Sequence, residues 1–264
     1  MSHSWPLRGR LPSRTVSLFQ APQAQWRAPE SVLGALTGEP PAPGGLHPRF
    51  ESSGAFNGPV YAMRRLRTEP WLRMDCRTGW YFDSLNTCER LELEGRFRRS
   101  PPSEKRSLDG SGRTAAIGIS TVVAWPEGGS WRALAAPMQA RAMRERAGLL
   151  HVVPSGMFAP PYSVIGNVRR ELVEELDVDL DPRRLRLTGV ALHTLNQRPE
   201  ICTALLLRHR PAARLSREEF APRLFEVELR SGLTPEALPG FFAPGAGAIV
   251  LAARLLGMAG FASE

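Results

Sequence analysis

The sequence predicts an α/β fold, a mixed sheet with helices on both faces. Three observations lead there. After Thr114 the chain becomes apolar and β-branched in short runs, of which "AAIGISTVVAW" (115–125) is the clearest. One amphipathic segment, "VRRELVEEL" (168–176), interrupts those runs at helical spacing. A last stretch, "APGAGAIVLAARLLGMAG" (243–260), is apolar nearly all round and reads as a buried helix.

The elements follow in order. Residues 1–45 are rich in Pro, Gly, Arg and Gln. Such a composition buries too little apolar surface to offset chain ordering, so a flexible Arg/Pro-rich arm is expected. "RTVSLFQ" and "ESVLGAL" are the pieces within it that could order, and Trp5 and Trp26 stand among arginines as single-strand binders place them. Residues 46–98 read as a small α+β subdomain. It holds a strand around "LRMDCR", a turn at Thr78-Gly79, and a short helix over "YFDSLNTCERLELE" capped by Asp83 or Ser84. Residues 99–113 form a Pro/Ser/Gly/charge linker.

The domain over 114–264 comes next. "AAIGISTVVAW" closes at the turn residues "PEGG", and "SWRALAAPM" is its partner strand. "AGLLHVVPSG" is a further strand, and the amphipathic helix follows. "LRLTGVALHTLN" and "ICTALLLRHR" are strands, "SREEFAPRLF" a short helix with Ser216 as cap, and the apolar helix ends the chain. "PGAGA" before it lacks the lysine and the preceding strand of a phosphate-cradling P-loop.

At 264 residues the chain holds one large domain, or a medium one with appendages. The net charge of +8 invites a nucleic-acid reading, but Lys105 is the only lysine. Arginine-rich, lysine-poor composition reflects GC-rich coding, so nucleic acid is the least favoured partner. The same field attracts phosphorylated small molecules. Cys76, Cys88 and Cys202 form no CxxC pair and have no histidines at zinc spacing, which fits reduced thiols. "AIVLAARLLGMAG" is too short to span a bilayer and carries Arg254. A soluble, cytoplasmic protein without a membrane partner is expected.

The chemistry gathers on the amphipathic helix. Glu171, Glu174 and Glu175 stand at i, i+3 and i+4, neighbouring positions on one side. Like charges so placed repel by a few tenths of a kcal/mol each, and a Mg²⁺ ion turns that repulsion into attraction. An ordinary solvated helix surface explains the three carboxylates as well, until the surroundings are read.

Those surroundings resemble the Nudix box of the Nudix hydrolase superfamily: Gly, five residues, Glu, seven residues, then Arg-Glu-U-x-Glu-Glu-x-Gly-U, with U a bulky aliphatic. Here Gly156 is followed by five residues, Tyr162, seven residues, and then Arg170-Glu171-Leu172-Val173-Glu174-Glu175-Leu176-Asp177-Val178. Tyr162 replaces the first glutamate and Asp177 the helix-ending glycine. The likeness extends loosely from about Ala115 to the C-terminus.

The resemblance implies a Nudix-like α/β/α sandwich and metal-dependent hydrolysis of a diphosphate in a nucleotide-like small molecule, with Mg²⁺ or Mn²⁺. It implies Glu174 and Glu175 as principal metal ligands and Glu171 as a further ligand or base. Arg170 would orient the helix, and Gly156 would permit a tight turn beside the substrate. Glu200 is the candidate base outside the box; Tyr162, Arg141 and Arg144 are candidates for binding substrate. His151 and His193 alternate within apolar strands and read as packed. Because Tyr162 removes one carboxylate, a Nudix-fold protein that binds without hydrolysing is the first alternative. Nucleic-acid binding through the basic arm is the second. The segment 46–98 could cap the site, supply specificity, or form a homodimer interface.

Overall fold

The computed structural model describes residues 16–38, 42, 44–48, 50, 56–94, 108–139, 146–179, 181–213, 215 and 223–258. Two sheets organise them. The larger has eight strands. Its path begins at β1 (Val16–Gln20) and ends at β12 (Phe225–Leu229). Between them lie β10 (Leu185–His193), β11 (Arg198–Leu206), β6 (Gly118–Glu127) and β7 (Ser130–Pro137), in that order. Two short strands lie off the path: β8 (Leu150–Val152) beside β7 and β9 (Ser155–Met157) beside β6. The β11–β6 pairing is parallel and the others are antiparallel, so the sheet is mixed.

The smaller sheet runs β2 (Leu33–Leu36), β4 (Arg73–Trp80), β3 (Pro59–Arg67), β5 (Ala115–Ala116). A helical stretch follows β4, as α1 (Tyr81–Ser84), a π-turn (Leu85–Glu89) and α2 (Arg90–Leu93). Two longer helices, α3 (Val164–Leu176) and α4 (Ala243–Met258), pack against the eight-stranded sheet.

The central strand explains why the sheet lies deep. Gly118 through Trp125 of β6 are all buried, as the unbroken apolar run requires of a strand covered on both faces. α4 is buried from Ala243 to Ala253, so it packs as its composition predicts. α3 presents Val164, Val168, Leu172 and Leu176 to the core, one apolar stripe at helical spacing. The architecture is mixed α/β.

Several expectations change. Residues 16–38 are not a loose arm: β1 pairs with β10 from Val16↔His193 to Gln20↔Gly189, and β2 joins the smaller sheet. Apolar alternation in "VSLFQ" meets an open sheet edge there. Residues 1–15 lie outside the described residues, as does most of the linker. Thr78 and Gly79 lie within β4, where Gly79 pairs with Val60, instead of turning. The helical stretch after it starts at Tyr81 as expected, but Trp80 is its N-cap and no side chain caps it. Asp83 sits in its first turn, where a carboxylate favours the dipole, and Ser84 is buried. "AGLLHVVPSG" divides into β8 and β9 around Pro154, which has no N–H for a ladder. "SREEFAPRLF" lies mostly outside the described residues, and β12 starts at its last residue.

Candidate functional site

The geometry begins where β9 meets α3. Gly156 pairs with Ile119 of β6, and the Glu171 carboxylate lies directly over its backbone. A Cβ at Gly156 would overlap that carboxylate and push it aside, so glycine is what lets Glu171 sit there. One residue earlier, the Ser155 amide donates to Glu175 Oε2 at 3.1 Å. Glu171 and Glu175 are thus both buried against the backbone of β9.

Glu174 stands apart. It is exposed and takes Arg170 Nη1 at 2.9 Å, an i, i+4 pair. Arg170 also donates to Glu171 and reaches Asn167 Oδ1 at 3.4 Å. Its guanidinium lies 5.4 Å from the Tyr162 ring centroid. Tyr162 therefore keeps a contact with Arg170, a cation–π contact of about 0.5–1 kcal/mol at such an exposed position.

Both ends of α3 are fixed. At the N-terminus, Ser163 Oγ accepts from Gly166 N at 3.1 Å. The Glu30 carboxylate accepts from Val164 N at 3.0 Å and Ile165 N at 2.7 Å. A carboxylate on two free amides at a helix start suits the dipole and satisfies donors the helix leaves open. At the C-terminus Asp177 adopts the left-handed conformation (φ 53°, ψ 40°) that the resembled motif gives to glycine.

Glu200 is not brought to this place. It pairs with Gly118, whereas Gly156 pairs with Ile119. Paired residues share a face and successive residues alternate, so Glu200 projects from the opposite face to α3. There it accepts from Ser120 Oγ and stands 3.6 Å from His151 Nε2. Burial pushes its carboxyl pKa up, against the Ser120 hydrogen bond and the nearby Arg198 and Arg146 charges. Arg141 and Arg144 lie outside the described residues.

On that second face lies a charged cluster absent from the sequence reading. Glu89 takes Arg146 Nη2 and Arg198 Nη1, each at 2.5 Å. Asn196 Nδ2 donates to Glu92 Oε2 at 3.0 Å, and Arg146 stacks 4.1 Å from the Phe242 ring centroid. Burial would raise the Glu89 carboxyl, but the Arg146 and Arg198 guanidiniums outweigh it and hold it below its usual range. Burial, with Arg146, pulls His151 down to about 3, and burial lowers His193 too. Both histidines are neutral at neutral pH, packed as their strands imply.

Among the described residues no group of three or more His, Cys, Asp or Glu side chains is disposed to hold a metal ion. The donor set nevertheless suits one arrangement. Mg²⁺ is commonly held by one or two carboxylates, with water and substrate phosphate completing its shell. Glu171 and Glu175, both set against the backbone of β9, fit an ion that arrives with a phosphorylated ligand. Glu174, exposed and turned to Arg170, does not share that position. No helix among the described residues is long and apolar enough to cross a membrane. The three cysteines are free and buried.

No family model matches the chain, and no curated protein matches it. Among solved structures it is similar to an Enterococcus faecalis MutT/nudix family protein, at 11% identity and a TM-score of 0.39. That match covers 54% of this chain and 52%, about half, of the other. It is also similar to a C. elegans Ap4A hydrolase (16% identity, 55% of this chain, 99% of that chain, TM-score 0.40). A third likeness is to the NUDIX domain of Shewanella oneidensis NrtR complexed with ADP ribose. It has 13% identity, covers 62% of this chain and 98% of that one, and has a TM-score of 0.44. At these values the likenesses name no function, which is argued from the residues.

Proposed function

We propose that this chain is a Nudix-type hydrolase that cleaves a diphosphate linkage in a nucleotide-like small molecule at the junction of β9 and α3. The observation that carries the reading is the apposition of Gly156 and Glu171. Two residues 15 apart in the box spacing meet so closely that a Cβ at Gly156 would displace the Glu171 carboxylate from its seat. Glu171 and Glu175 would hold Mg²⁺ or Mn²⁺ brought by the diphosphate. When bound, such an ion neutralises phosphate oxygens and activates water.

The chain's own residues do the rest. Glu175 is oriented by the Ser155 amide, and Glu171 by its seat over Gly156. Gly156 leaves the room that the Glu171 carboxylate occupies beside the strand. Arg170, shared between Glu171 and Glu174, can turn its planar fork to phosphate oxygens, which it binds bidentately.

A second reading has its own observation. Tyr162 replaces one carboxylate, and Arg170 already neutralises Glu171, so the helix could serve a protein that binds the same ligand without cutting it. One experiment separates the two. Phosphate and mononucleotide release is followed over nucleoside diphosphate sugars, dinucleotides and nucleoside triphosphates with Mg²⁺ or Mn²⁺. Glu171→Gln is expected to lower turnover about 10²-fold or more, the range of a lost acid–base or ligand group, and Glu174→Gln far less. Ligand-raised melting temperature without turnover would establish the binding reading. Neither turnover nor stabilisation would remove both.

A further inference from the structure

We propose that the outer face of the smaller sheet is a docking surface for single-stranded nucleic acid. The proposal is independent of the reaction at β9 and α3. Residues paired across strands, or two apart along one, share a face. Arg65 pairs with Asp75 and Arg67 with Arg73. Arg77, two residues beyond Asp75, closes the row, its guanidinium turned to Arg113 O and Thr114 Oγ1 at 3.3 Å each. The other face of these strands, with Met63, Leu66, Met74 and Cys76, is buried in the core. The arginine face is therefore the outer one, and Arg65, Arg67 and Arg73 are exposed on it.

The charges on this face are not balanced. Asp75 takes Arg67 Nη2 at 3.0 Å and also accepts from Ala35 N at 3.3 Å. Asp109 bridges to the backbone of Arg65 at the neighbouring edge. Three exposed guanidiniums, Arg65, Arg67 and Arg73, thus meet two carboxylates. Arg67 and Arg73 stand directly opposite each other, an arrangement that destabilises a strand pair by itself. A phosphate chain lying over the row relieves that repulsion, as a cation relieves adjacent carboxylates.

Three features choose the partner. The row repeats at about 7 Å, two residues of extended strand, so it offers a line of contacts instead of a pocket for one phosphate. Trp71 is 46% exposed between β3 and β4, at the end of the row, where a base can stack on it. The positive groups are guanidiniums, which combine bidentate phosphate contacts with stacking.

The test is fluorescence anisotropy of the full chain with labelled oligouridylate and oligodeoxythymidylate over a range of salt. The comparison variants are Arg65→Gln/Arg73→Gln and Trp71→Ala. All three positions are exposed, and melting temperature checks that the fold is kept. The wild type should bind with log affinity falling linearly against log salt. The double variant should lose about 1.4 from that slope and bind about 25-fold more weakly at 0.1 M salt, two phosphate contacts being removed. Trp71→Ala should weaken binding about tenfold with the slope unchanged. Absence of binding at low salt overturns the proposal. So does binding that the double variant leaves intact, which would place the contacts elsewhere on the chain. Tighter binding to phosphatidylserine vesicles than to the oligonucleotides at matched salt would assign the face to a membrane instead.

Discussion

The two faces of the eight-stranded sheet use the same residue types to opposite ends. On the α4 face, Glu89, Arg146 and Arg198 are largely buried, and Glu89 takes both guanidiniums at 2.5 Å, with Glu92 3.4 Å from Arg146. On the α3 face, one half-buried arginine, Arg170, serves a buried carboxylate and an exposed one. The first arrangement is closed, because moving any member strands a charge in an apolar surrounding. The second can exchange partners, because solvent reaches it. Density of charge does not separate a site from a scaffold; freedom to exchange does.

The largest expected effect tests the closed face. Glu89→Gln keeps the shape but leaves Arg146 and Arg198 with no carboxylate of equal reach, which should cost about 3–5 kcal/mol of stability. Urea denaturation at neutral pH measures it. The acid limb gives a second readout. Because the folded-state pKa of Glu89 is lowered, its contribution is present above the unfolded-state value and is lost as pH falls through the folded one. Below about pH 4 the wild type should therefore lose stability more steeply than Glu89→Gln. Equal acid slopes in the two proteins would show that Glu89 is not the group that closes this face.

A smaller effect belongs to the tether of α3. Glu30→Ala removes the acceptor for two helix-start amides, for an expected cost of about 1–2 kcal/mol. Hydrogen exchange at Val164 and Ile165 should quicken, while Glu89→Gln leaves those amides no faster relative to global unfolding. Ser163→Ala, which removes one hydrogen bond, should cost about 1 kcal/mol or less. If Glu30→Ala were neutral, the contact of the N-terminal segment with α3 would be incidental to the helix.

These differences explain which parts could be read in advance. The box spacing is local: Gly156, Arg170, Glu171 and Glu175 lie on adjacent elements, and their meeting follows from a strand feeding a helix. Five strands after Thr114 were equally visible as apolar runs, the third of which divides into β8 and β9. Glu30 was not, because it reaches α3 from 134 residues away and nothing near it in sequence points there. Glu200 failed for another reason. Its loop-to-strand position suited a base, but which way it faces depends on pairing with Gly118, a register that only the assembled sheet fixes. Glu89 reads as a polar position on a short helix, since its two arginines come from separate parts of the chain. β12 carried a usable signal that went unused, the alternation Phe225-Glu226-Val227-Glu228-Leu229.

The smallest effect concerns Asp177, where the sequence itself flags a conflict. Glycine occupies the left-handed position at no steric cost, whereas a residue with a Cβ is strained there, aspartate less than most. The chain accepts that strain because the turn closes the helix: Asp177 N donates to Val173 O at 3.2 Å and Val178 N to Leu172 O at 3.3 Å. Asp177→Gly relieves the strain but loosens the unfolded chain, so the net gain should be about 0.5–1 kcal/mol. For a chain of this size that is about 1–4 °C in melting temperature. Asp177→Ala should move the other way, since alanine has a Cβ without a side chain able to bond locally. A destabilising Asp177→Gly would mean that the aspartate side chain contributes more than its backbone conformation costs. The departure from the box at this position would then be an adaptation of the α3 terminus, not a tolerated strain.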